Sequence, residues 1–251
     1  MARLSGRTAL VTGANRGIGA GVAKAFAAEG AAVAVNYPNA GAAAEAEVLC
    51  AEIAEAGGKA IAFEADVSDA PAVEALLAAA AEVFGHLDIL VNNAGIARAA
   101  PVEDIDPADW DEVFAVHVRG TFLCSKYVLP HMYARGSGRI INTASQLAYL
   151  GAAGFAHYTA AKGAIVTFTR TLALEAAPKG VGVNAVAPGA TRTAMLEDVP
   201  EDILEGIRQS IPLGRLAEID DIVPSYVFLA SDDARHYVGQ VISPNGGDVF
   251  L

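Results

Sequence analysis

The sequence predicts a single α/β domain in which helices cover both faces of a parallel sheet of about seven strands. Three observations support this prediction. Short β-branched segments alternate with longer alanine-rich segments of helical period, the strand segments are almost continuously apolar, and no linker or internal repeat interrupts the 251 residues. Because parallel strands are joined by right-handed crossovers, this order of elements predicts a doubly wound sheet.

The alternation runs along the whole chain. Strands are predicted at 8–12, 32–36, 60–65, 89–92, 139–143, 181–186 and 240–243, and helices at 17–28, 41–56, 70–84, 107–135 and 158–178. Glycines at Gly57, Gly136 and Gly180 are expected to end the helices that precede them. The segment 191–215 is the longest insertion between core elements, so we predict a substrate loop there, over the carboxyl ends of the strands.

Composition and charge restrict the classes of function. The sequence is 53% hydrophobic, yet no apolar segment is long enough to cross a bilayer and no signal peptide precedes the first strand, so we expect a cytoplasmic protein. A net charge of −12 disfavours nucleic acid and anionic membranes as partners. Cys50 and Cys124 lie far apart without a Cys/His cluster, so we expect two core thiols and neither a disulfide nor a metal site.

A glycine-rich turn, T-G-A-N-R-G-I-G at residues 12–19, leads from the first strand straight into a helix. Backbone N–H groups and the positive end of the helix then point at one spot, which suits a pyrophosphate. Glycine is needed because a Cβ would block the tight turn or the approach of the phosphate. The predicted dinucleotide-binding residues of this turn are Gly13, Asn15, Arg16, Gly17, Ile18 and Gly19.

The end of the second strand indicates which dinucleotide is bound. Asn36 and Tyr37 stand where an acidic residue would hold an adenosine ribose 2′-hydroxyl, and residues 36–39 contain no acid. Arg16 can reach the same region, and its guanidinium suits a phosphate. We therefore predict that Asn36 and Tyr37 lie beside the ribose and that NADP(H) is preferred over NAD(H).

Three side chains form a candidate catalytic group. Tyr158 and Lys162 are four residues apart at the start of a helix, so the phenol and the ammonium share one face. A neighbouring cation is expected to lower the pKa of the phenol and to make it a useful acid/base. Ser145 lies just past the fifth strand, at the same edge of the sheet, where its hydroxyl can hydrogen-bond a substrate oxygen.

These motifs together resemble the short-chain dehydrogenase/reductase family from end to end. The resemblance rests on the glycine turn at 12–19, Asp66, N-N-A-G at 92–95, Ser145 followed by Tyr158 and Lys162, and P-G-A-T-R-T at 188–193. It implies a Rossmann-like fold and hydride transfer between a nicotinamide dinucleotide and a small carbonyl or alcohol substrate. Family members of this type are commonly tetramers built on the two long helices, so a homotetramer is expected.

The resemblance also assigns further site residues. It implies that Asp66 and Val67 hold the adenine, and that Lys162 grips the nicotinamide ribose as well as assisting Tyr158. Its other cofactor-binding positions fall on Asn93, Ala94, Gly95, Pro188, Gly189, Thr191 and Thr193. The chain departs from the pattern at His117, where the family has an asparagine that supports a water-mediated proton relay. His117 is either a packed side chain or a titrating member of that relay.

The sequence indicates the substrate less clearly than it indicates the type of reaction. The expected pocket lining is apolar, formed by Leu147, Tyr149, Leu150, Phe155, Met195 and Leu196, which favours a hydrophobic ketone, aryl ketone or keto ester. The alternatives are a 3-oxoacyl-[acyl-carrier-protein] reductase and a dinucleotide-binding regulator without catalysis. The first is disfavoured because segments 128–131 and 172–175 lack the basic residues of carrier-binding reductases, and the second because Tyr158 and Lys162 are present.

Overall fold

The computed structural model describes residues 2–196 and 199–250 of the chain. Its strands are β1 (Thr8–Val11), β2 (Ala32–Tyr37), β3 (Lys59–Glu64), β4 (Ile89–Asn92), β5 (Gly138–Thr143), β6 (Val181–Val186) and β7 (Val241–Ile242). They form one parallel sheet in the order β3-β2-β1-β4-β5-β6-β7. The order reverses direction between β1 and β4, so the predicted doubly wound sheet is confirmed.

Nine α-helices lie within the described residues. They are α1 (Gly17–Ala28), α2 (Ala43–Glu55), α3 (Ala70–Phe84), α4 (Pro107–Phe114), α5 (Gly120–Arg135), α6 (Leu147–Leu150), α7 (Ala156–Ala176), α8 (Glu201–Ser210) and α9 (Ile219–Ala230). A π-helical turn, Ala115–Arg119, joins α4 to α5. In the part of the chain that the structure describes, no helix combines the length and the apolar character needed to cross a membrane.

The helices bury the sheet on both faces. In β1, Ala9 and Val11 pack toward α1, α2 and α9, whereas Leu10 packs toward α3, α5 and α7. Successive side chains of a strand point to opposite faces, so a strand covered on both sides must be apolar at every position. This double coverage explains the continuous apolar segments in the sequence. The edge strand β3, which is less covered, alternates between exposed and partly buried residues.

Most predicted boundaries agree with the structure within one or two residues. The expected continuous helix over 107–135 is interrupted by the π-turn, and the expected last strand is only two residues long. Cys124 is buried as predicted, but Cys50 is partly exposed, so the prediction of two core thiols is wrong for Cys50. Gly136 and Gly180 adopt left-handed conformations after their helices, as expected of C-caps.

The predicted substrate loop, 191–215, contains a 3-10 turn at Ala194–Leu196 followed by α8. Thr191 and Ala217 form an isolated parallel bridge that fixes the two ends of the segment next to each other. Two of the loop's residues, Glu197 and Asp198, and the side chain of Met195 lie outside the described part of the structure. The loop begins shortly after the end of β6, so it starts near the carboxyl edge of the sheet.

Candidate active site

All predicted site residues gather at the carboxyl edge of the sheet. The glycine turn follows β1, Tyr37 ends β2, the N-N-A-G segment begins at the end of β4, Ser145 follows β5, and the P-G-A-T-R-T segment follows β6. Parallel strands end at the same edge, so segments far apart in sequence become neighbours.

The glycine turn requires glycine on steric grounds. Gly13 and Gly17 have φ values of 57° and 60°, in the left-handed region that other residues disfavour. A Cβ on Gly13 would lie 2.8 Å from Ala94 Cα, and a Cβ on Gly19 would lie 2.5 Å from Gly13 O. No side chain hydrogen bond caps α1, so its first N–H groups stay available for an anion.

The glycine turn is tied to the segment after β4 through Thr12. Its Oγ1 accepts hydrogen bonds from Asn93 N at 2.9 Å and Ala94 N at 3.0 Å. Asn93 Nδ2 in turn donates to Thr12 O at 3.0 Å and to Gly13 O at 3.1 Å. Two segments predicted to bind one dinucleotide are thus a single hydrogen-bonded unit. Thr12 was not predicted as a site residue, although its place before the first glycine could have indicated it.

The buried side chain of Asn36 holds the glycine turn in place through hydrogen bonds. Its buried Oδ1 accepts from Gly13 N at 3.2 Å, and its Nδ2 donates to Ala65 O at 3.0 Å. The side-chain amide of Asn36 thus joins the glycine turn to the end of β3. Tyr37 remains partly exposed beside it.

An acidic side chain reaches the glycine turn from α2. Asn15 Nδ2 donates a hydrogen bond to Glu45 Oε2 at 2.6 Å. The neighbouring Arg16 is exposed, and within residues 2–196 and 199–250 its guanidinium forms no ion pair. The sequence prediction considered only residues 36–39 and missed Glu45, which is brought to the turn by the fold.

Asp66 and Val67 lie at the end of β3, as predicted. Asp66 Oδ1 accepts from Ser68 N at 2.8 Å and from Ser68 Oγ at 2.7 Å, which shapes the turn into α3. The carboxylate is exposed, whereas Val67 is buried. Val67 packs at the start of α5, where a Cβ on Gly120 would lie 2.8 Å from Val67 Cγ2.

The segment after β6 lies against the glycine turn. Thr191 Oγ1 donates to Gly189 O at 2.9 Å. A Cβ on Gly17 would lie 3.8 Å from Thr193 Cγ2, so Thr193 borders the start of α1. Gly189, which follows Pro188, allows the tail to approach, because a Cβ there would lie 2.7 Å from Asn245 Cα. The structure thus brings this predicted segment next to the glycine turn.

Tyr158, Lys162 and Ser145 meet where β5 ends and α7 begins. Lys162 is buried, donates from Nζ to Thr143 O at 2.7 Å, and lies 5.5 Å from the centroid of the Tyr158 ring. Ser145 is buried as well, and its Oγ accepts from Leu147 N at 3.2 Å. Thr143, which also hydrogen-bonds the Tyr226 hydroxyl at 2.8 Å, was not predicted as part of this group.

The electrostatics of this group differ from the expectation. Burial raises the pKa of Tyr158, and a hydrogen bond with Ser145 opposes that shift without reversing it. Burial lowers the pKa of Lys162 to about 7. The expected lowering of the Tyr158 pKa is not found, because desolvation of the phenol is the largest influence on it.

His117 lies in the π-turn, with its ring edge against Tyr158 at 5.5 Å between centroids. The buried Nε2 lies 3.0 Å from Ile96 N and 2.7 Å from Ile96 O. Burial lowers the pKa of His117 to about 3, assisted by Lys162 and His157 and opposed by the Ile96 hydrogen bond. The imidazole is then neutral near pH 7, which favours the packed side chain over a relay group that titrates near neutrality.

Replacing His117 with Asn should accordingly leave the shape of the pH–rate profile unchanged. The imidazole holds no proton to lose between pH 6 and 8, so its removal deletes no ionisation in that range. The check is the maximal rate of wild type and His117→Asn from pH 5.5 to 9, each normalised to its own maximum. An inflection of the wild type that disappears in the variant would restore the titrating role.

The predicted substrate side of the site is only partly as expected. Leu147, Phe155 and Leu196 are partly exposed and Leu150 is exposed, as suits a lining. Tyr149 instead packs on the small apolar cluster around Ile165, and its hydroxyl is buried without a partner among the described residues. In the described residues, no group of three or more His, Cys, Asp or Glu side chains converges to hold a metal ion.

Comparison with known proteins agrees with this geometry. A family model described as enoyl-(acyl carrier protein) reductase, which represents short-chain dehydrogenases/reductases, matches residues 13–248. A 3-oxoacyl-[acyl-carrier-protein] reductase of Synechocystis is 43% identical, with 100% of both chains covered. A cis-4-hydroxycyclohexanecarboxylate dehydrogenase of Sinomonas cyclohexanicum is 41% identical, with 96% of both chains covered.

Solved structures that superpose on this chain are also described as dehydrogenases or reductases. A dehydrogenase/reductase of Sinorhizobium meliloti superposes with a TM-score of 0.92 at 40% identity, covering 99% of this chain and 97% of that one. A protein of Beutenbergia cavernae, provisionally assigned as an NAD(P)-dependent gluconate 5-dehydrogenase and holding NADP at low occupancy, superposes with a TM-score of 0.93 at 39% identity, covering 98% of each chain. The protein is an oxidoreductase that belongs to the short-chain dehydrogenase/reductase family.

Proposed function

We propose that the protein is an NADP(H)-dependent oxidoreductase that interconverts a small hydrophobic ketone or keto ester and its secondary alcohol. The proposal rests above all on one juxtaposition, the Tyr158 phenol beside Lys162 and Ser145 at the edge of the sheet that carries the glycine turn. A phosphate-binding turn next to a proton donor is the arrangement that carbonyl reduction by a dinucleotide requires.

The residues at the edge fit a dinucleotide. Cβ atoms on Gly13 and Gly19 would collide with Ala94 and Asn93, so the glycines keep the turn tight, and the N-terminus of α1 has unused N–H donors for a pyrophosphate. Asp66 would hold the adenine and Lys162 the nicotinamide ribose. When bound, the nicotinamide would supply or accept the hydride, and the protein would supply the proton transfer and the charge stabilisation.

The protein side of the reaction is proton transfer and charge stabilisation. Because its pKa is raised, Tyr158 is protonated at neutral pH and can donate its proton to the carbonyl oxygen during reduction. The Ser145 hydroxyl is placed to hydrogen-bond the same oxygen, and its own Oγ is oriented by the Leu147 N–H. In alcohol oxidation the same phenol must first lose its proton, which the raised pKa makes costly near neutrality.

We attribute the preference for the 2′-phosphorylated cofactor to a contact between Arg16 and the 2′-phosphate. Replacing it with Ala should raise the KM for NADPH by about 10- to 100-fold, because a charge-assisted hydrogen bond contributes roughly 1.5–3 kcal/mol. The KM for NADH should change by less than about twofold, because NADH has no 2′-phosphate. Steady-state kinetics with both cofactors is the check, and equal changes in the two KM values would show that Arg16 does not contact the phosphate.

A second candidate function is reduction of 3-oxoacyl groups on an acyl carrier protein. Relatives with that name favour it, including the Synechocystis protein and a Staphylococcus aureus reductase that is 40% identical. The charge of the surface disfavours it, because segments 128–131 and 172–175 contain no Lys or Arg, and Leu129 and Leu172 in those segments are buried. An acidic carrier needs a basic surface to hold it.

One panel of substrates separates the two candidates. NADPH oxidation is measured with hydrophobic ketones, keto esters, an acetoacetyl carrier protein and the same acetoacetyl group on free pantetheine. The proposed function predicts turnover of the small ketones or keto esters and equal kcat/KM for the two thioesters. A carrier-bound thioester that is more than about tenfold better than its pantetheine analogue would favour the second candidate instead.

We further infer that four copies of the chain assemble through α4, α5 and α7. Each of these helices has a buried face, and each also exposes one large apolar side chain. The exposed side chains are Trp110, Phe122 and Leu174. Exposed apolar side chains on neighbouring helices are typical of surfaces that are covered in an oligomer. A homotetramer is the state that the family resemblance implies.

A further inference from the structure

Glu45 is an acidic side chain beside the residue proposed to recognise a phosphate. It lies in the first turn of α2 and accepts a hydrogen bond from Asn15 Nδ2 at 2.6 Å, and Asn15 immediately precedes Arg16 in the glycine turn. Both Glu45 and Arg16 are exposed, and within the described ranges neither is engaged in an ion pair. One positive side chain, Arg16, and one negative side chain, Glu45, thus flank Asn15, the first by sequence and the second through its hydrogen bond.

The two charges act in opposite directions on a 2′-phosphate. Arg16 attracts it, whereas the carboxylate that Asn15 holds in place repels it, because like charges less than a Debye length apart interact measurably even in water. A cofactor that ends in a ribose 2′-hydroxyl carries no charge at this position, so the repulsion is specific to the phosphorylated form. The hydrogen bond to Asn15 keeps the carboxylate from moving away freely.

We propose that Glu45 is a specificity-determining residue that weakens NADP(H) binding relative to NAD(H) and thereby offsets part of the effect of Arg16. This inference rests on the proposed function, in which Arg16 contacts the 2′-phosphate. Cofactor selection in this chain then depends on the balance between Arg16 and Glu45, and the acid that many dinucleotide sites place at the end of β2 is supplied here by α2.

The test is Glu45→Gln, with Glu47→Gln as the matched control. Glutamine retains an acceptor for Asn15 and removes only the charge, and Glu47 is an exposed acid two residues along the same helix, on a different side. Dissociation constants for NADPH and NADH are measured by fluorescence titration at low and high ionic strength. For Glu45→Gln at low salt, the ratio of the NADPH to the NADH constant should fall about threefold to tenfold.

The control variant and the salt dependence give two further expected results. The ratio for Glu47→Gln should stay at the wild-type value, and the difference between wild type and Glu45→Gln should shrink at high salt, since screening removes the repulsion. An unchanged or increased ratio in Glu45→Gln, or an equal fall in both variants, would overturn the role of Glu45. Arg16→Ala in the same titration tests the underlying proposal separately, because that proposal fails only if Arg16 does not alter the ratio.

Discussion

Replacement of Tyr158 with Phe should lower turnover by about 10² to 10⁴-fold, the usual contribution of a general acid. The ring packs against the edge of His117 at 5.5 Å between centroids, and phenylalanine preserves that contact while it removes the proton. Cofactor binding should therefore change by less than about twofold. The measurements are kcat with the best carbonyl substrate and the dissociation constant of NADPH, because only the first depends on the phenol.

Tyr149→Phe is the control for this prediction. Tyr149 is nine residues from Tyr158, and its hydroxyl is buried without a partner among the described residues, so its loss removes no hydrogen bond of the site. Its turnover should stay within about threefold of wild type. If Tyr158→Phe kept more than about a tenth of the wild-type rate, Tyr158 would not be the proton donor.

Replacement of Lys162 with Met should have the second largest effect, lowering kcat/KM by roughly 10²-fold or more. The ammonium lies near the Tyr158 ring, and a preorganised charge in a buried site contributes about 2.7–4 kcal/mol to the transition state. Because its pKa is about 7, Lys162 is charged below neutrality and loses its proton above it. In wild type, kcat/KM for reduction should therefore fall as the pH rises through about 6 to 8.

The pH dependence distinguishes Lys162 from its neighbours. The fall should be absent in Lys162→Met and present in His117→Asn, since the His117 pKa of about 3 lies well below this range. A fall of the same shape in Lys162→Met would assign the ionisation to another group. The variant should fold, because the unfolded chain binds the Lys162 proton more tightly than the native state does, so the charged side chain destabilises the wild type most below pH 7.

The fold was predictable because one local pattern, an apolar strand segment followed by a segment of helical period, recurs along the chain. Most strands are apolar at nearly every position and alternate with helical segments along the chain, so the seven strands could be placed within a residue or two of their observed ends. The glycine turn, Ser145, Tyr158 and Lys162 were predictable for a related reason. Their chemistry is visible in short spacings, and the carboxyl edge of a parallel sheet brings strand ends together.

The features that were missed depend on contacts between distant segments. The Asn15–Glu45 hydrogen bond joins residues 30 positions apart, and the burial of Asn36 depends on its bonds to Gly13 and Ala65. No spacing rule reveals such pairs. The pKa direction at Tyr158 was missed because a sequence shows which charges are near but not how far a group is removed from water, and for the same reason two roles stayed open for His117.

The central claim is hydride transfer from a bound reduced dinucleotide to a carbonyl carbon. It is tested most directly by incubating the enzyme with NADPH that carries two deuterium atoms at C4 of the nicotinamide and with the best ketone from the panel. Mass spectrometry and proton NMR of the alcohol should show one deuterium at the carbinol carbon, formed by wild type and nearly absent with Tyr158→Phe. Alcohol without deuterium at that carbon, or no alcohol with any carbonyl of the panel, would contradict the claim.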